Sequence, residues 1–203
     1  LSDIEGGVTI DGDLSIGTYD YTTGTGTGST LSNLDALAGL TEVTGTLRIA
    51  DNISLTSIDG LSSLVAVGDD VLIVDNLRLS NLDGFTSLET VGGDFKIRGS
   101  SVRNVDGLSS LNAVGGTLEV FTADALENLD GLAGLTSVGG DLDIISNYAL
   151  ADIGGLAYFT ELGGDIDVSY NVSLCQSQVD GLVARLSGLG WTGASITMGN
   201  GFC

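Results

Sequence analysis

The sequence predicts a mainly β fold, a parallel β-solenoid with coils of about 24 residues that is closed by a C-terminal helix. The first observation is a repeat that returns every 24 residues, with a single step of 23. A period of this length is typical of stacked repeats, because one such unit cannot bury its apolar face alone. The apolar residues that mark the repeat are Val43, Val67, Val91, Val114, Val138 and Leu162.

The second observation is the pattern within each coil. Leucine-like residues stand at every third position, a Gly-rich corner follows, and a stretch that alternates in polarity comes last, as in Gly163 to Val168. Alternation with a period of two indicates a strand whose apolar residues point inward. The predicted inward residues are Leu47 and Ile49, Val71 and Ile73, Phe95 and Ile97, Leu118 and Val120, Leu142 and Ile144, and Ile166 and Val168.

Three segments make up one elongated domain. Residues 1–30 are an N-terminal partial coil and a Gly/Thr-rich loop, residues 31–173 are six solenoid coils, and residues 174–203 are a C-terminal cap. The cap carries apolar residues at helical spacing from Ser177 to Leu189, with Ser177 as the expected N-cap and Gly188 and Gly190 as the stop. A last short strand is expected at Ile196 and Met198.

Two polar columns recur within the coils. We expect the aspartates to accept backbone N–H bonds at the start of a short turn. The asparagines are expected to be buried and to bond one another and the corner backbone. The formal glycosylation sequons at Asn52 and Asn171 would then be idle. The aspartate column is Asp35, Asp59, Asp83, Asp106 and Asp130, and the asparagine column is Asn52, Asn76, Asn147 and Asn171, with Ser100 and Ala123 in the other two coils.

Composition excludes several classes of function. The net charge is −21, with six Lys and Arg against 27 acids, and the sequence has no histidine. Nucleic acid is a poor partner for such a chain, because phosphate binding rests on Lys and Arg, and an anionic membrane surface is disfavoured for the same reason. There is also no apolar run long enough to span a bilayer.

The two cysteines, Cys175 and Cys203, both lie in the C-terminal cap. Two cysteines confined to an end cap fit a disulfide formed in an oxidising compartment, and a pair of reduced, buried thiols is the alternative. The chain begins at Leu1 rather than at Met, so we expect a processed protein or a domain cut from a longer one.

The coil pattern Leu-x-x-Leu-x-x-Val-x-Gly-x-Leu-x-Ile-x-x-Asn, carried by Leu132 to Asn147, resembles the receptor L-domain. That family is a right-handed parallel β-helix related to leucine-rich repeats and found in cell-surface proteins. The resemblance extends over residues 31–171, and the segment with Cys175 and Cys203 is similar to the closing cap of bacterial members. It implies an extracellular, non-catalytic module, either a binding and adhesion unit or a structural one, that uses its sheet face to bind a protein or glycan. A monomer or weak homo-oligomer is expected.

The outward residues of the strands supply the candidate sites. The exposed apolar and basic residues in the middle of the sheet predict a partner-binding surface made of Leu72, Val74, Lys96, Arg98, Phe121 and Ile145. Four carboxylates on adjacent coils, Asp141, Asp143, Asp165 and Asp167, are candidate ligands for Ca²⁺, which takes oxygen ligands; no other cofactor is expected. The three outward columns read Thr46, Asp70, Asp94, Thr117, Asp141 and Asp165 (first), Arg48, Leu72, Lys96, Glu119, Asp143 and Asp167 (second), and Ala50, Val74, Arg98, Phe121, Ile145 and Ser169 (third).

Two alternative functions stay open. One is an ice-binding solenoid, although the mixed charges of the outward columns differ from the flat Thr arrays that such proteins present. The other is a β-helix enzyme that acts on polysaccharides with paired carboxylates, a chemistry that needs no histidine. No pair of carboxylates is singled out by the repeat, so we expect a protein that is not an enzyme.

Overall fold

The structure, a computed structural model, describes residues 7–17, 19–20, 25–26 and 29–203. The predicted Gly/Thr-rich loop at 17–30 lies partly outside these residues, and the described part contains a short antiparallel pair. The strands are β1 (Val8–Ile10), β2 (Leu14–Ile16), β3 (Tyr19–Asp20), β4 (Thr25–Gly26), β5 (Leu40–Val43), β6 (Leu47–Ala50), β7 (Ala66–Val67), β8 (Val71–Val74), β9 (Thr90–Val91), β10 (Phe95–Arg98), β11 (Ala113–Val114), β12 (Leu118–Phe121), β13 (Ser137–Val138), β14 (Leu142–Ile145), β15 (Glu161–Leu162), β16 (Ile166–Ser169) and β17 (Ser195–Ile196). One α-helix, α1 (Gln176–Gly188), follows β16.

Two long parallel sheets are built from the coils, so the predicted solenoid is confirmed. The seven-stranded sheet has the order β1-β5-β7-β9-β11-β13-β15, and the eight-stranded sheet has the order β17-β16-β14-β12-β10-β8-β6-β2. Each full coil gives a short strand to the first sheet and a four-residue strand to the second. The apolar residues that mark the repeat, from Val43 to Leu162, lie in the strands of the seven-stranded sheet. The sequence pattern did not distinguish these short strands from the leucine-rich segment that precedes them.

The core is a set of apolar columns that run the length of the solenoid. All twelve predicted inward strand residues are at most 1 % exposed, which confirms the predicted strand phase. The leucines at every third position face them from 3₁₀ turns and short strands. The 3₁₀ turns span Asp35–Leu37, Asp59–Leu61, Asp83–Phe85, Asp106–Leu108, Asp130–Leu132 and Gly154–Leu156.

The aspartate column does not accept the expected turn hydrogen bonds, so this prediction is wrong. Each aspartate is the exposed first residue of its 3₁₀ turn, and its own backbone N–H donates to a side chain two residues earlier. In the coil of Asp130, that acceptor is Asn128 Oδ1, at 3.1 Å. The residues that brace the turns this way are Asn33, Ser57, Asn81, Asn104, Asn128 and Asp152.

Glycine follows four of these five aspartates, and it is needed there because neighbouring turns touch. A Cβ on Gly131 would lie 1.8 Å from the carbonyl oxygen of Val105 in the preceding coil. The Gly-Gly corners have the same cause, since a Cβ on Gly139 would lie 2.2 Å from the carbonyl oxygen of Gly115. Glycine at both places therefore permits backbone to stack directly on backbone.

In the six full coils, a column of positive φ follows the strands of the eight-stranded sheet, and the Gly-Gly corners have no positive φ. The left-handed residue of each coil stands directly after the four-residue strand, and in five of the six coils it is not glycine. This conformation costs a non-glycine residue roughly 1–2 kcal/mol, so surrounding contacts must hold it. The column is Asp51 (φ 59°), Asp75 (53°), Gly99 (56°), Thr122 (52°), Ser146 (58°) and Tyr170 (59°).

The left-handed residue turns the chain so that the following asparagine points into the core. Asn147 Oδ1 accepts the backbone N–H of Ala123 at 2.9 Å, and Asn147 Nδ2 donates to the carbonyl oxygen of Val120 at 3.0 Å and to Asn171 Oδ1 at 3.1 Å. All four asparagines of the column are fully buried, as predicted. The sequons at Asn52 and Asn171 are therefore inaccessible in the folded chain.

The cap closes the C-terminal end of both sheets. Helix α1 has Cys175 as its N-cap, two residues earlier than expected, so Ser177 lies inside the helix and is not its N-cap. Val179, Leu182 and Leu186 of α1 pack on the last coil. Strand β17 pairs with β16, and Cys175 and Cys203 form a disulfide with a Cα–Cα distance of 5.7 Å.

We predict that Asn147→Ala lowers the free energy of unfolding by roughly 3 kcal/mol. The substitution leaves a backbone N–H and a carbonyl group without partners in the core, and each such buried group costs about 1–3 kcal/mol. Chemical denaturation measures the change. Asn112→Ala, at an exposed asparagine, is the control and should shift stability by less than about 0.5 kcal/mol. Equal losses for the two variants would show that the buried amide column does not stabilise the coils.

We predict that the disulfide contributes roughly 3.5 kcal/mol to stability, since it closes a loop whose ends are 28 residues apart. Replacing both cysteines by serine should lower the melting temperature without changing the far-UV circular dichroism of the coils. Intact-mass measurement after alkylation tests the bond itself: two alkylatable thiols before reduction would contradict it.

Candidate functional site: an exposed sheet face

The outward surface of the eight-stranded sheet is the candidate site. Strands β6, β8, β10, β12, β14 and β16 stack in register, so the second and third outward columns run straight across six coils. We call these two columns the strand face. The six predicted partner-binding residues lie on the four middle strands of this face, and the register places Leu72 beside Lys96, Val74 beside Arg98, and Phe121 beside Ile145.

Exposure is concentrated in the middle of the strand face. Phe121 is 39 % exposed, Arg98 is also exposed, and Leu72, Val74, Lys96 and Ile145 are half-buried. At the two ends of the third column, Ala50 and Ser169 are buried, so neither belongs to an accessible surface. The accessible apolar area is therefore a patch over β8 to β14.

Ion pairs fix the charged side chains of this patch. Arg98 binds Glu119 through two hydrogen bonds from its guanidinium, and Glu119 is only 7 % exposed. Lys96 Nζ lies 2.6 Å from Asp94 Oδ2, and Arg48 lies 3.6 Å from Asp51. The hydrogen bonds that Arg98 donates to Glu119 raise the pKa of Arg98, so its charge is permanent. Such two-pronged pairs hold the guanidinium plane in one orientation.

A shallow hollow of about 310 Å³ lies on the basic side of the strand face. Its lining combines three basic residues, one aspartate and two aliphatic residues. The hollow is large enough for a side chain or a single sugar ring from a partner, a size at the lower end of ligand pockets. The lining residues are Arg48, Asp70, Leu72, Val74, Lys96 and Arg98.

The first outward column has a structural role that the sequence did not reveal. Four of its six side chains accept the backbone N–H of the equivalent residue in the next coil, as Asp70 does from Asp94 at 2.8 Å and Asp141 from Asp165 at 2.7 Å. The recurrence of Asp or Thr about every 24 residues in this column was the sequence signal that could have indicated this role. These bonds make the column the counterpart of the asparagine column at the other end of the strand.

The predicted cation ligands lie together at the C-terminal end of this face. Asp141 and Asp165 accept backbone N–H groups, the latter from Ala194 at 2.8 Å, and Asp167 accepts the Ser169 hydroxyl. In the described part of the chain, no group of three or more acidic or cysteine side chains is arranged to hold a metal ion. Ca²⁺ binding stays a prediction that rests on charge density alone.

Asp143 is the most strongly perturbed carboxyl of this acidic corner. Partial burial, and then repulsion from Asp141, Glu119 and Asp167, raises its pKa to about 6. Lys96 acts in the opposite direction but does not offset the other causes. The carboxyl of Asp143 is therefore partly protonated at mildly acidic pH.

A second exposed apolar surface lies at the cap, and sequence reasoning missed it. Tyr170 donates its hydroxyl to the sulfur of Met198 at 3.4 Å, and Phe202 is fully exposed beside the disulfide. Tyr170, a tyrosine at the left-handed position of the last coil, was the sequence feature that could have indicated this surface. We call this surface the tip patch; its exposed apolar residues are Tyr170, Val172, Ile196, Met198 and Phe202.

A groove of about 670 Å³ runs over the seven-stranded sheet. Its floor consists of small residues such as Ala113, Ser137 and Gly139, and Trp191 closes its end. The indole N–H of Trp191 donates to the carbonyl oxygen of Gly164 at 2.8 Å, which fixes the ring.

We predict that Asp143→Asn stabilises the chain at about pH 7.5 by roughly 1 kcal/mol, an amount that allows for solvent screening of a partly exposed group. A carboxyl whose pKa is raised on folding contributes stability that is fully present below its ordinary pKa of 3.8 and is lost as pH rises through about 6. The gain should therefore vanish at about pH 4. Thermal unfolding at both pH values measures it. Asp124→Asn, at an exposed carboxylate away from this corner, is the control, and a gain that does not depend on pH would contradict the assignment.

Two long, all-parallel sheets with a repeat of about 24 residues make the chain a β-solenoid. Within the described residues, the structure has no helix with the length and apolar character to cross a membrane. The chain matches no model of a protein family, no curated protein and no solved structure.

Proposed function

We propose that this chain is an extracellular, non-catalytic binding module of a cell-surface protein, and that the strand face binds its protein or glycan partner. The observation that carries the proposal is the accessible patch over β8 to β14, where Phe121 and the aliphatic residues lie among oriented ion pairs. Exposed apolar patches with a charged rim are typical of interfaces. The flat, in-register sheet presents the patch without obstruction.

The other parts of the proposal rest on chemistry and on resemblance. A disulfide supports an oxidising compartment, and the coil pattern resembles the receptor L-domain of cell-surface proteins. The chain has no histidine, and the carboxylates of the first outward column are engaged with backbone N–H groups, which favours binding over acid-base catalysis.

We predict that the double variant Phe121→Ser with Ile145→Ser weakens binding to the partner at least tenfold, a loss of about 1.4 kcal/mol or more. Both side chains point away from the core, so the melting temperature should stay close to that of the unaltered chain. Glycan and surface-protein arrays, probed with the labelled chain, identify the partner, and titration then measures the affinity of each variant.

The matched control is Leu77→Ser with Tyr158→Ser, two exposed apolar residues outside the strand face. This control should bind as the unaltered chain does. Binding that survives the Phe121 and Ile145 changes but not the control changes would place the interface elsewhere. Turnover of any polysaccharide in a hydrolase panel would contradict the non-catalytic function.

A further inference from the structure

The strand face is divided into a basic half and an acidic half. Its columns contain Arg48, Lys96 and Arg98 on β6 to β10, with no carboxylate, and Glu119, Asp143 and Asp167 on β12 to β16, with no cation. Three of the six basic residues of a chain with net charge −21 are thus gathered on half of one face. The boundary between the halves lies between the paired strands β10 and β12.

We propose that the strand face binds the strand face of a second copy of this chain, with the coil order reversed, so that each basic half covers the acidic half of the other copy. The symmetry is a two-fold axis that lies in the interface, parallel to the strands, between β10 and β12. Such isologous two-fold interfaces are the commonest in homo-oligomers. This inference rests on the proposed function, because it names the partner of the same binding surface.

The residues that this axis brings together are complementary. This axis reverses the order of the coils, but each outward column of one copy still faces the same column of the other copy. Strand β6 therefore faces β16 of the second copy, β8 faces β14, and β10 faces β12. Arg48 then faces Asp167 of the second copy, and this is the exchange of opposite charge that the axis makes; Glu119, opposite Lys96, is nearly buried and held by Arg98. In the third column, the apolar Val74 faces Ile145, and the Arg98 guanidinium faces the ring of Phe121, a favourable cation–π geometry. Ala50 and Ser169, at the ends of this column, are buried and make no contact across the interface. Leu72 against Asp143 is the one pair that does not match.

The other two-fold arrangement is disfavoured by charge. An axis parallel to the solenoid would keep the coil order and place Lys96 against Arg98 of the second copy. It would also gather Asp143 and Asp167 of both copies on one side with no cation among them. Like charges opposed across an interface cost several kcal/mol, so the charge pattern selects the reversed order.

The size of the face limits the strength of this dimer. Six strands about 4.8 Å apart and four residues long make a face of about 24 Å by 13 Å, well below the roughly 800 Å² per partner of a standard interface. The net charge of −21 on each copy adds repulsion. We therefore expect a reversible dimer with a Kd of roughly 10 µM to 1 mM, in the range of transient contacts.

A charge exchange across the Arg48–Asp167 pair tests the arrangement. Sedimentation equilibrium of the full chain, at about 0.15 M salt and up to about 1 mM protein, should show a monomer–dimer equilibrium. Arg48→Asp alone and Asp167→Arg alone should each raise the Kd of self-association at least tenfold. In a dimer of either variant, both symmetry-related 48–167 pairs consist of like charges. A 1:1 mixture of the two variants restores both pairs and should recover a Kd within about threefold of the original.

The controls use charged residues off the strand face. Arg103→Asp and Asp124→Arg, both at exposed positions, change the net charge by the same amounts and should leave Kd unchanged. Melting temperatures of all variants confirm that the fold is retained.

A chain that stays monomeric at about 1 mM, or a mixture that shows no recovery, would overturn the inference. If that monomeric chain still captures a partner through Phe121 and Ile145, the proposed binding function stands and the self-association alone fails.

Discussion

Backbone hydrogen bonds hold each coil on the next at a spacing of about 4.8 Å, and every column of residues must fit that spacing. Where two turns touch, only glycine fits, as at Gly131 and Gly139. Where polar backbone groups face inward, an amide must satisfy them, as Asn147 does for Ala123 and Val120. The buried apolar columns occupy the rest of the interior. The regular repeat is thus the consequence of one geometric requirement applied six times.

The same spacing acts on the outer surface, but there it permits variation. Outward side chains in neighbouring coils are as close as inward ones, so like charges repel and opposite charges pair. Asp143 lies among carboxylates and its pKa rises to about 6, whereas the nearly buried Glu119 pairs with the exposed Arg98. Because these side chains do not touch the core, their identities can change without changing the fold. We therefore expect the outward columns to determine what the chain binds.

A solenoid face differs from the enclosed pockets in which most acid-base chemistry takes place. The strand face is rigid, since its strands are bonded on both sides and its ion pairs fix the long basic side chains. A rigid, flat surface loses little conformational entropy when it binds, which suits recognition of another flat surface. The division into basic and acidic halves adds orientation to that recognition, because electrostatic complementarity selects one register over others.

The sequence by itself determined the coil length, the inward strand residues, the buried asparagines and the position of the cap, because each of these follows from a repeat that any coil must obey. The location of Leu72, Phe121 and Ile145 on one face also followed from the strand phase. Tertiary structure decided what depends on contacts between coils: the left-handed residue before each asparagine, the close approach behind each Asp-Gly pair, and the bonds of the first outward column. The pairing of Arg98 with Glu119, which lie 21 residues apart, belongs to the same class. A spacing pattern shows which residues are equivalent, but only the stacked coils decide which atoms meet.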